Sequence, residues 1–369
     1  MLELRAGDKR AFFRAPFEAY GANSLYVSPM WPDVERYFDA EKNPLFKTGN
    51  PFEIFTAHRD SRVVGRICAH VHAASNARHG LSRAYFGFFD VACDAEAADA
   101  LLGAAEKFAR QHGCAELAGN FNLTAMQQIG VITDGFENQP YTDMVYSPPH
   151  VAAHLERAGF GAFFPVSTWE IDLRHADPDA ILTDKARAAL ADPIYEWTRI
   201  DRRNFAARLE DARAALNDGF DKNPMFVPLT REEYEFHAKE MMWILDPRIS
   251  SCVRANGQAA GVVVCIPDLN PFMKAIGGEY GWRAALEFVR HRLNRKRAVI
   301  IYYSTASAHQ GQGLNTAMLY RVLTNLRAAG YETLGITWIA DVNGASLRQM
   351  EKLGARRLHR LHLFRKATV

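Results

Sequence analysis

The sequence lacks the features that mark membrane, secreted and disulfide-rich proteins. No segment approaches the ~18 apolar residues of a membrane span, and the first ten residues carry charges throughout, without the apolar core of a signal peptide. The five cysteines form no C-x-x-C pair and are an odd number, which disfavours a disulfide framework or a zinc site. We therefore expect reduced thiols, no metal, no membrane partner and a cytoplasmic location.

A large excess of charge of one sign is also missing. Lys and Arg number 44 against 42 Asp and Glu, so the formal net charge is +2 and nucleic acid is not an expected partner. One local cluster, R-H-R-L-N-R-K-R at residues 290–297, is basic. It suits a nucleotide phosphate or RNA, and equally a solvated helix C-terminus, where positive charge complements the helix dipole.

The 369 residues are too many for one ordinary core and predict two domains. Both parts contain a hairpin signal, which is strongest at the Asn256-Gly257 turn. Each then reads as a β-hairpin, β, α, β, α, β unit, with an inserted helix at about 271–293 in the second part and a long loop at about 120–149 in the first. We place the boundary in an Asp- and Pro-containing segment, giving domains 1–185 and 186–369.

One stretch of the second domain carries the clearest chemical signal. A buried-strand run at 298–304 leads into Gln310, Gly311, Gln312 and Gly313, and a helix is predicted over 316–329. Backbone N–H groups at a helix N-terminus favour anions, and glycines let a ligand approach the main chain closely. The stretch therefore predicts a phosphate or pyrophosphate site.

The order of elements and this turn resemble the GCN5-related N-acetyltransferase (GNAT) superfamily, and more narrowly its uncharacterised bacterial tandem proteins. The family motif [Q/R]-x-x-G-x-[G/A] matches at Gln310 and Gly313 and departs at Asn315. A later family motif begins at Asn343, and Met350 replaces the tyrosine that usually protonates the departing thiolate. The resemblance implies an α/β (α+β) fold class: two tandem acyl-CoA N-acyltransferase-like domains, each a mixed, mostly antiparallel sheet flanked by helices.

The resemblance also implies a cofactor, acetyl-CoA or another acyl-CoA, bound by the second domain. In this family the end of the fourth strand pairs with the pantetheine arm like an added strand, and the glycine turn holds the pyrophosphate. The residues expected to contact the cofactor are Tyr303, Thr305, Ser307, Gln310, Gly311, Gln312, Gly313, Leu314, Asn315 and Asn343.

N-acyl transfer needs a base that keeps the amine neutral, polarisation of the thioester carbonyl and a proton for the leaving thiolate. Backbone N–H groups can polarise the carbonyl, so few side chains are obligatory. Glu279, Asp341 and His309 are candidate bases, and Tyr302 or Tyr303 is a candidate acid. We select Glu279, Asp341 and Tyr303 as the catalytic set.

The first domain has no comparable glycine turn. Its corresponding segment, A-C-D-A-E-A-A-D-A from residue 92, is acidic and would repel a pyrophosphate. The long loop that follows either forms a substrate pocket or fills the space that an absent cofactor would leave. The polar residues that suit a pocket are Asn120, Asn122, Asp134, Tyr141, Asp143 and Tyr146.

From these observations we expect a transferase, specifically an acyl-CoA-dependent N-acyltransferase, and within that class an acetyltransferase, acting on a small amine. Met350 and Asn315 leave open a non-catalytic acyl-CoA-sensing or protein-binding module. Aminoacyl transfer from tRNA is a further alternative, supported only by the basic cluster. A homodimer is compatible with the sequence.

Overall fold

A computed structural model describes residues 1–368, apart from the side chain of Glu240. The helices are α1 (Lys9–Tyr20), α2 (Trp31–Tyr37), α3 (Pro44–Lys47), α4 (Ala73–His79), α5 (Ala95–Gln111), α6 (Pro149–Arg157), α7 (Asp184–Ala191), α8 (Phe205–Gly219), α9 (Arg231–Ala238), α10 (Asn270–Ile276), α11 (Ala284–Leu293), α12 (Leu314–Ala328) and α13 (Gly344–Lys352). The strands are β1 (Leu2–Ala6), β2 (Phe52–Arg59), β3 (Arg62–Val71), β4 (Arg83–Val91), β5 (Glu116–Gly119), β6 (Val131–Asp134), β7 (Gly161–Asp172), β8 (Tyr195–Arg199), β9 (Ser251–Ala255), β10 (Gln258–Pro267), β11 (Arg297–Thr305), β12 (Thr333–Ala340) and β13 (Arg356–Ala367).

The chain packs into two compact units. The first unit contains Met1–Ser167, Asn270–Phe288 and the C-terminal segment from Leu358. The second contains Thr168–Leu269 and Val289–Arg357. Both units are therefore discontinuous in sequence. The division at residue 185, placed in the Asp- and Pro-containing segment of the sequence, remains a prediction.

Each unit contains a mixed sheet with the same local order. In the first unit the order is β1-β2-β3-β4-β5-β13, and in the second it is β12-β11-β10-β9-β8. The pairs β3/β4 and β10/β11 are antiparallel, whereas β4/β5 and β11/β12 are parallel. Gly65 lies opposite Val91 in the first unit, and Gly261 lies opposite Thr305 in the second. The mixed, helix-flanked α/β architecture predicted from the sequence is thus confirmed.

One long amphipathic helix covers the central strands of each unit. In the first, α5 buries Leu101 and Leu102 in a core that includes Phe86. In the second, α12 buries Leu319 and Leu323, again against the sheet. Apolar residues recurring at helical spacing therefore fix which face of each helix meets its sheet.

Local sequence features explain where several helices begin and end. Helix α12 is followed by Gly330 at φ +84°, as expected for a C-terminal glycine. Thr230 and Glu233 form a capping box at the start of α9. One prediction is wrong: the single inserted helix at about 271–293 is two helices, α10 and α11. Gly277 and Gly278, both at positive φ, break it.

All five cysteines are free, and all but Cys93 are buried. Among the described residues, no group of His, Cys, Asp and Glu side chains has the arrangement of a metal site. Within the same part of the chain, no helix is both long and apolar enough to cross a bilayer.

Candidate functional site

The end of β11 is irregular on both of its edges. Its parallel pairing with β12 ends where Ile300 lies opposite Ile336, although both strands continue further. On the other edge, the register with β10 skips one residue between Ile300 and Tyr302, so Ile301 forms a bulge. A bulge bends a strand and interrupts its ladder. Alternate N–H and C=O groups beyond it point away from β10, towards the side where pairing with β12 has ended.

The predicted glycine turn connects this strand to α12. Gly311 has φ +73°, and Gly313, at φ +88°, is the residue before the helix. The first described intrahelical bond runs 2.9 Å from the Ala317 N–H to the Gly313 carbonyl. The N–H groups of residues 314–316 therefore precede the helical ladder. A side chain added at Gly311 would meet no protein atom within 4 Å, so the main chain is open to a ligand there.

Helix α7 braces this turn and adds a positive charge. Lys185 Nζ donates to the Gly311 carbonyl at 3.0 Å. The hydroxyl of Tyr195 lies 3.1 Å from Gln312 Oε1 and 3.2 Å from His309 Nδ1. Both Lys185 and Tyr195 lie close to the turn in space although they are distant in sequence. The combination of an ammonium group, a helix N-terminus and an open glycine suits an anionic ligand.

The departure from the family motif at Asn315 has a structural role. The Tyr303 hydroxyl donates to Asn315 Oδ1 at 2.7 Å and also contacts the Asn315 carbonyl. Gln349 Nε2 donates to Thr316 Oγ1 at 3.0 Å and approaches Asn315 Oδ1 at 3.3 Å. These bonds tie the first turn of α12 to β11 and α13. Burial raises the pKa of Tyr303 well above its ordinary value, which weakens that hydroxyl as a proton donor.

The other predicted cofactor residues near the turn differ in availability. Gln310 Nε2 donates to the Thr305 carbonyl at 3.1 Å. The Ser307 hydroxyl donates to Asp218 Oδ1 at 2.9 Å, and its backbone N–H donates to the same carboxylate. Thr305 Oγ1 is buried and has no hydrogen-bond partner within the described chain. Thr305 therefore keeps an unsatisfied polar atom at the strand end, whereas Ser307 is already engaged.

Three further motif residues lie around α12 and α13. Leu314 is fully buried. Asn343 caps α13, since its Oδ1 accepts the N–H of Ser346 at 3.2 Å. Met350 is 3% exposed and belongs to the core, so the side chain at the family's tyrosine position neither reaches solvent nor carries a proton to donate.

The structure does not assemble all of the predicted catalytic side chains. Asp341 follows β12 directly and is exposed. Glu279 belongs to the first unit, where it forms an ion pair with Arg10. Tyr302 packs against Tyr234, with ring centroids 6.4 Å apart. Of the three selected catalytic residues, only Asp341 lies in the same unit as the glycine turn and also has an exposed ionisable side chain. It stands at the end of β12, the strand that pairs with β11.

In the first unit, the corresponding strand edge is occupied by the chain itself. The N–H of Phe88 donates to Asn122 Oδ1 at 2.7 Å, and the N–H of Phe89 donates to Asn120 Oδ1 at 3.2 Å. The N–H of Phe121 donates to the Phe86 carbonyl at 2.8 Å. The loop after β5 thus satisfies backbone groups of β4 beyond its pairing with β5. Such groups would otherwise be open to an added strand.

The helix that follows β4 also differs from α12 at its N-terminus. Asp94 precedes α5 and accepts the N–H of Ala97 at 3.1 Å. Its carboxylate is also paired with Arg59, which lowers the pKa of Asp94. A side-chain carboxylate therefore occupies the position that a bound anion would take at this helix N-terminus.

The predicted pocket residues of the long loop divide into two groups. Asn120, Asn122 and Tyr146 line an open cleft of about 600 Å³, solvent included. Asp134 lies on β6, exposed and opposite Arg360 of β13, and Tyr141 is fully buried. Neither of those two lines the cleft, and Asp143 does not line it either.

Sequence reasoning missed several polar residues at this cleft and at the turn. Arg66 and Asp90 form a buried ion pair 2.7 Å long in the cleft, with the Tyr20 hydroxyl donating to the same carboxylate. Lys185 and Asp218 beside the glycine turn were missed as well. All of these contacts join distant segments, and no local pattern marks them.

A comparison with protein families decides the class of the second unit's fold. Residues 210–355, which include β10, β11, the glycine turn and α13, match the model described as Acetyltransferase (GNAT) family. Residues 210–355 form a GNAT domain. The resemblance drawn from the glycine turn is thereby confirmed.

Solved GNAT structures extend the likeness to the whole chain. A tandem GNAT protein from the clavulanic acid biosynthesis pathway matches with a TM-score of 0.58 and 13% identity, covering 100% of this chain and 99% of that one. A GCN5-related N-acetyltransferase from Sphaerobacter thermophilus matches with a TM-score of 0.54 and 12% identity, covering 100% and 96%. At such identities these likenesses concern the fold alone. The chain has the tandem GNAT fold.

Two curated relatives match over nearly their full length. Protein YghO of Escherichia coli (strain K12) is 23% identical over 98% of this chain and 94% of its own. The bacterial ceramide synthase of Caulobacter vibrioides (strain NA1000 / CB15N) is 22% identical over 97% of this chain and 94% of its own.

Proposed function

We propose that this protein is an acyl-CoA-dependent N-acyltransferase whose second unit binds acyl-CoA. The observation that carries the proposal is the open end of β11 followed by the exposed glycine turn. A strand with open backbone groups fits a pantetheine amide chain, and a helix N-terminus with glycines and Lys185 fits a pyrophosphate. The unsatisfied Thr305 Oγ1 adds a polar atom at the strand end.

The contrast with the first unit supports a single cofactor site. There Asn120 and Asn122 occupy the strand edge, and Asp94 occupies the helix N-terminus. Both features required for an acyl-CoA site are thus filled by side chains of the same chain. We infer that the first unit does not bind acyl-CoA in this way, and that Asn120, Asn122 and Tyr146, which line its own cleft, are candidate substrate contacts there.

Acyl-CoA supplies a thioester-activated acyl group, and its transfer to an amine requires two proton transfers. The new C–N bond forms as the C–S bond breaks, so the amine loses a proton and the thiolate gains one. We propose Asp341 as the base, because it is exposed at the end of β12. Tyr303 is better suited to positioning Asn315 than to acid catalysis, and Met350 cannot donate a proton, so the thiolate would be protonated by solvent.

For the acceptor we propose a long-chain amine. The relative named a ceramide synthase matches over nearly the whole chain, and a ceramide is a fatty-acyl amide of a long-chain amino alcohol. An acceptor of that kind remains a small-molecule amine, as expected from the sequence, but with an alkyl chain. The matching acyl donor would be a long-chain acyl-CoA.

The test is release of free CoA from palmitoyl-CoA and from acetyl-CoA, measured with two acceptors. One acceptor is a long-chain 2-amino-1,3-diol, and the other is ethanolamine, which keeps the amino alcohol and lacks the chain. We expect CoA release with palmitoyl-CoA and the long-chain acceptor, with the amide product detected by mass spectrometry. Equal rates with ethanolamine would contradict the long-chain acceptor but keep the transferase.

The base is tested separately. The substitution Asp341→Asn should lower the rate of CoA release at least tenfold with little change in acyl-CoA affinity, because it removes only the proton acceptor. Glu351→Gln, at an exposed acid on α13, is the matched control. Tight acyl-CoA binding without CoA release to any amine would favour the non-catalytic module instead.

A further inference from the structure

Exposed apolar side chains are concentrated on one short segment. Of the eleven large apolar side chains that are exposed within the described residues, five lie between positions 280 and 293. In chain order, their exposed fractions are 71% for Tyr280, 82% for Trp282, 64% for Leu286, 54% for Val289 and 80% for Leu293. Scattered exposed apolar residues are common, whereas a cluster of this density marks a binding surface.

Helix geometry places three of these side chains on one stripe. Leu286, Val289 and Leu293 have the i, i+3, i+7 spacing that shares one face of α11. Trp282 and Tyr280 lie in the turn before the helix. The opposite face packs inward, where Ala284 is buried and Phe288 meets Phe272 edge-on at 5.5 Å. The stripe therefore belongs to one continuous helix that is held in place by its other face.

Basic side chains border the stripe. Arg290 and Arg292 lie on α11 on either side of it, and the Arg283 guanidinium stands over the Trp282 ring at 4.9 Å. Glu287 is the single acid between residues 280 and 297. Further along the basic cluster, Arg295, Lys296 and Arg297 pair with acids of the protein: Asp246, Glu332 and Asp268. Arg283, Arg290 and Arg292 place positive charge beside the stripe.

We propose that the exposed face of α11 docks on the surface of an anionic lipid bilayer. An apolar stripe bordered by arginines, with Trp and Tyr at one end, matches the chemistry of the membrane interface. The arginines face anionic headgroups while the apolar side chains enter the acyl boundary. A stripe of exposed apolar side chains on one short helix suits a fluid lipid surface better than a protein partner, whose anchor residues usually require a preformed pocket. The proposal replaces the expectation of no membrane partner and does not depend on the proposed reaction.

The test is co-sedimentation of the full chain with vesicles. One set contains phosphatidylcholine alone, and the other contains about one-third phosphatidylglycerol. We expect binding to the anionic vesicles that weakens with added salt. The variant Leu286→Ser/Val289→Ser/Leu293→Ser should bind at least tenfold more weakly, and Arg290→Gln/Arg292→Gln should lose the preference for anionic lipid. The matched control is Ile194→Ser/Val342→Ser, which removes exposed apolar side chains elsewhere.

A second readout follows Trp282 directly. Its fluorescence should shift to shorter wavelength with anionic vesicles, and the shift should be smaller in Trp282→Phe. Thermal unfolding of each variant checks that the fold is retained. Unchanged vesicle binding by the triple serine variant would overturn the proposal. Self-association that this variant abolishes, in the absence of vesicle binding, would overturn it in favour of a second copy of the chain.

Discussion

At the residue scale, two asparagines distinguish the first unit from the second. The Asn122 side chain accepts the N–H of Phe88 and donates to Gln128, and Asn120 accepts the N–H of Phe89. Both asparagines are buried. The same kind of strand edge that is open in the second unit is therefore closed in the first by amide side chains, without any change in the strand order around it.

Removal of one of these amides should destabilise the protein. The substitution Asn122→Ala leaves the buried N–H of Phe88 without its acceptor, and we expect a loss of about 1–3 kcal/mol in the free energy of unfolding. Urea unfolding measures it. Asn294→Ala, at an exposed asparagine after α11, is the control and should change stability by less than about 0.5 kcal/mol. An equal loss in both variants would contradict the role given to Asn122.

His70 makes stability depend on pH. It is fully buried on β3, its Nε2 bonds to the Leu123 carbonyl at 2.7 Å, and burial lowers its pKa to about 3. Below the ordinary histidine pKa, His70 binds a proton in the unfolded chain but stays neutral in the folded chain. The free energy of unfolding therefore falls as pH decreases from about 6.5 towards 3, by at most about 1.4 kcal/mol per pH unit from this group.

The variant His70→Gln isolates this contribution, because glutamine keeps a donor for Leu123 and does not titrate. We expect it to be less stable than the wild type at pH 7 and to lose less stability between pH 6.5 and 4.5. Urea unfolding at several pH values gives the difference. A gap between the two proteins that stays constant over this range would rule out proton uptake at His70.

Single-residue roles were only partly predictable from the sequence. The Asn256-Gly257 turn was predictable, since both residues have the positive φ that such a hairpin turn requires. The roles of Asn315 and Asn343 were not predictable, because packing determines their partners. Asn315 contacts Tyr303 and Gln349, and Asn343 caps the start of α13. A sequence motif therefore identifies where such a residue lies, but its contacts determine what the side chain does.

At the element scale, α7 extends the candidate site beyond the GNAT-matched segment 210–355. Its Lys185 reaches the Gly311 carbonyl, so a cation from outside the matched segment stands at the glycine turn. We expect Lys185→Gln to weaken acyl-CoA binding about three- to tenfold and to reduce its salt dependence. Isothermal titration at two salt concentrations measures both effects.

The same helix supplies the control for that variant. Arg187 is exposed on α7 two residues further on, so Arg187→Gln removes one positive charge from the same element. Affinity should stay within about twofold of the wild type, because screening weakens a charge that does not contact the turn. Equal effects of the two substitutions would indicate a general charge effect in place of a contact at Gly311.

Elements were more predictable than single contacts. Helix α5 follows from the amphipathic pattern of its sequence, and β4 follows from its β-prone aromatic residues. The break between α10 and α11 was missed because a helical apolar pattern continues across Gly277 and Gly278. The assignment of α10 to the first packing unit could not be predicted, since it depends on contacts between segments far apart in sequence.

At the scale of the whole molecule, one fold occurs twice with different outcomes. The tandem GNAT likeness covers the full chain, and both units repeat the hairpin, strand, helix and parallel strand. The first unit fills its strand edge and caps its helix, whereas the second leaves both open. We therefore infer one acyl-CoA site per chain, located at the glycine turn of the second unit.

The most direct measurement is isothermal titration of the full chain with palmitoyl-CoA and acetyl-CoA, using Gly311→Ala and Gly257→Ala. Both glycines have similar positive φ, +73° and +75°, and open surroundings, so both variants carry the same backbone strain of about 1–2 kcal/mol. We predict binding of about one acyl-CoA per chain, weakened at least tenfold in Gly311→Ala alone. No binding of either acyl-CoA, or equal affinity in the two variants, would contradict the account.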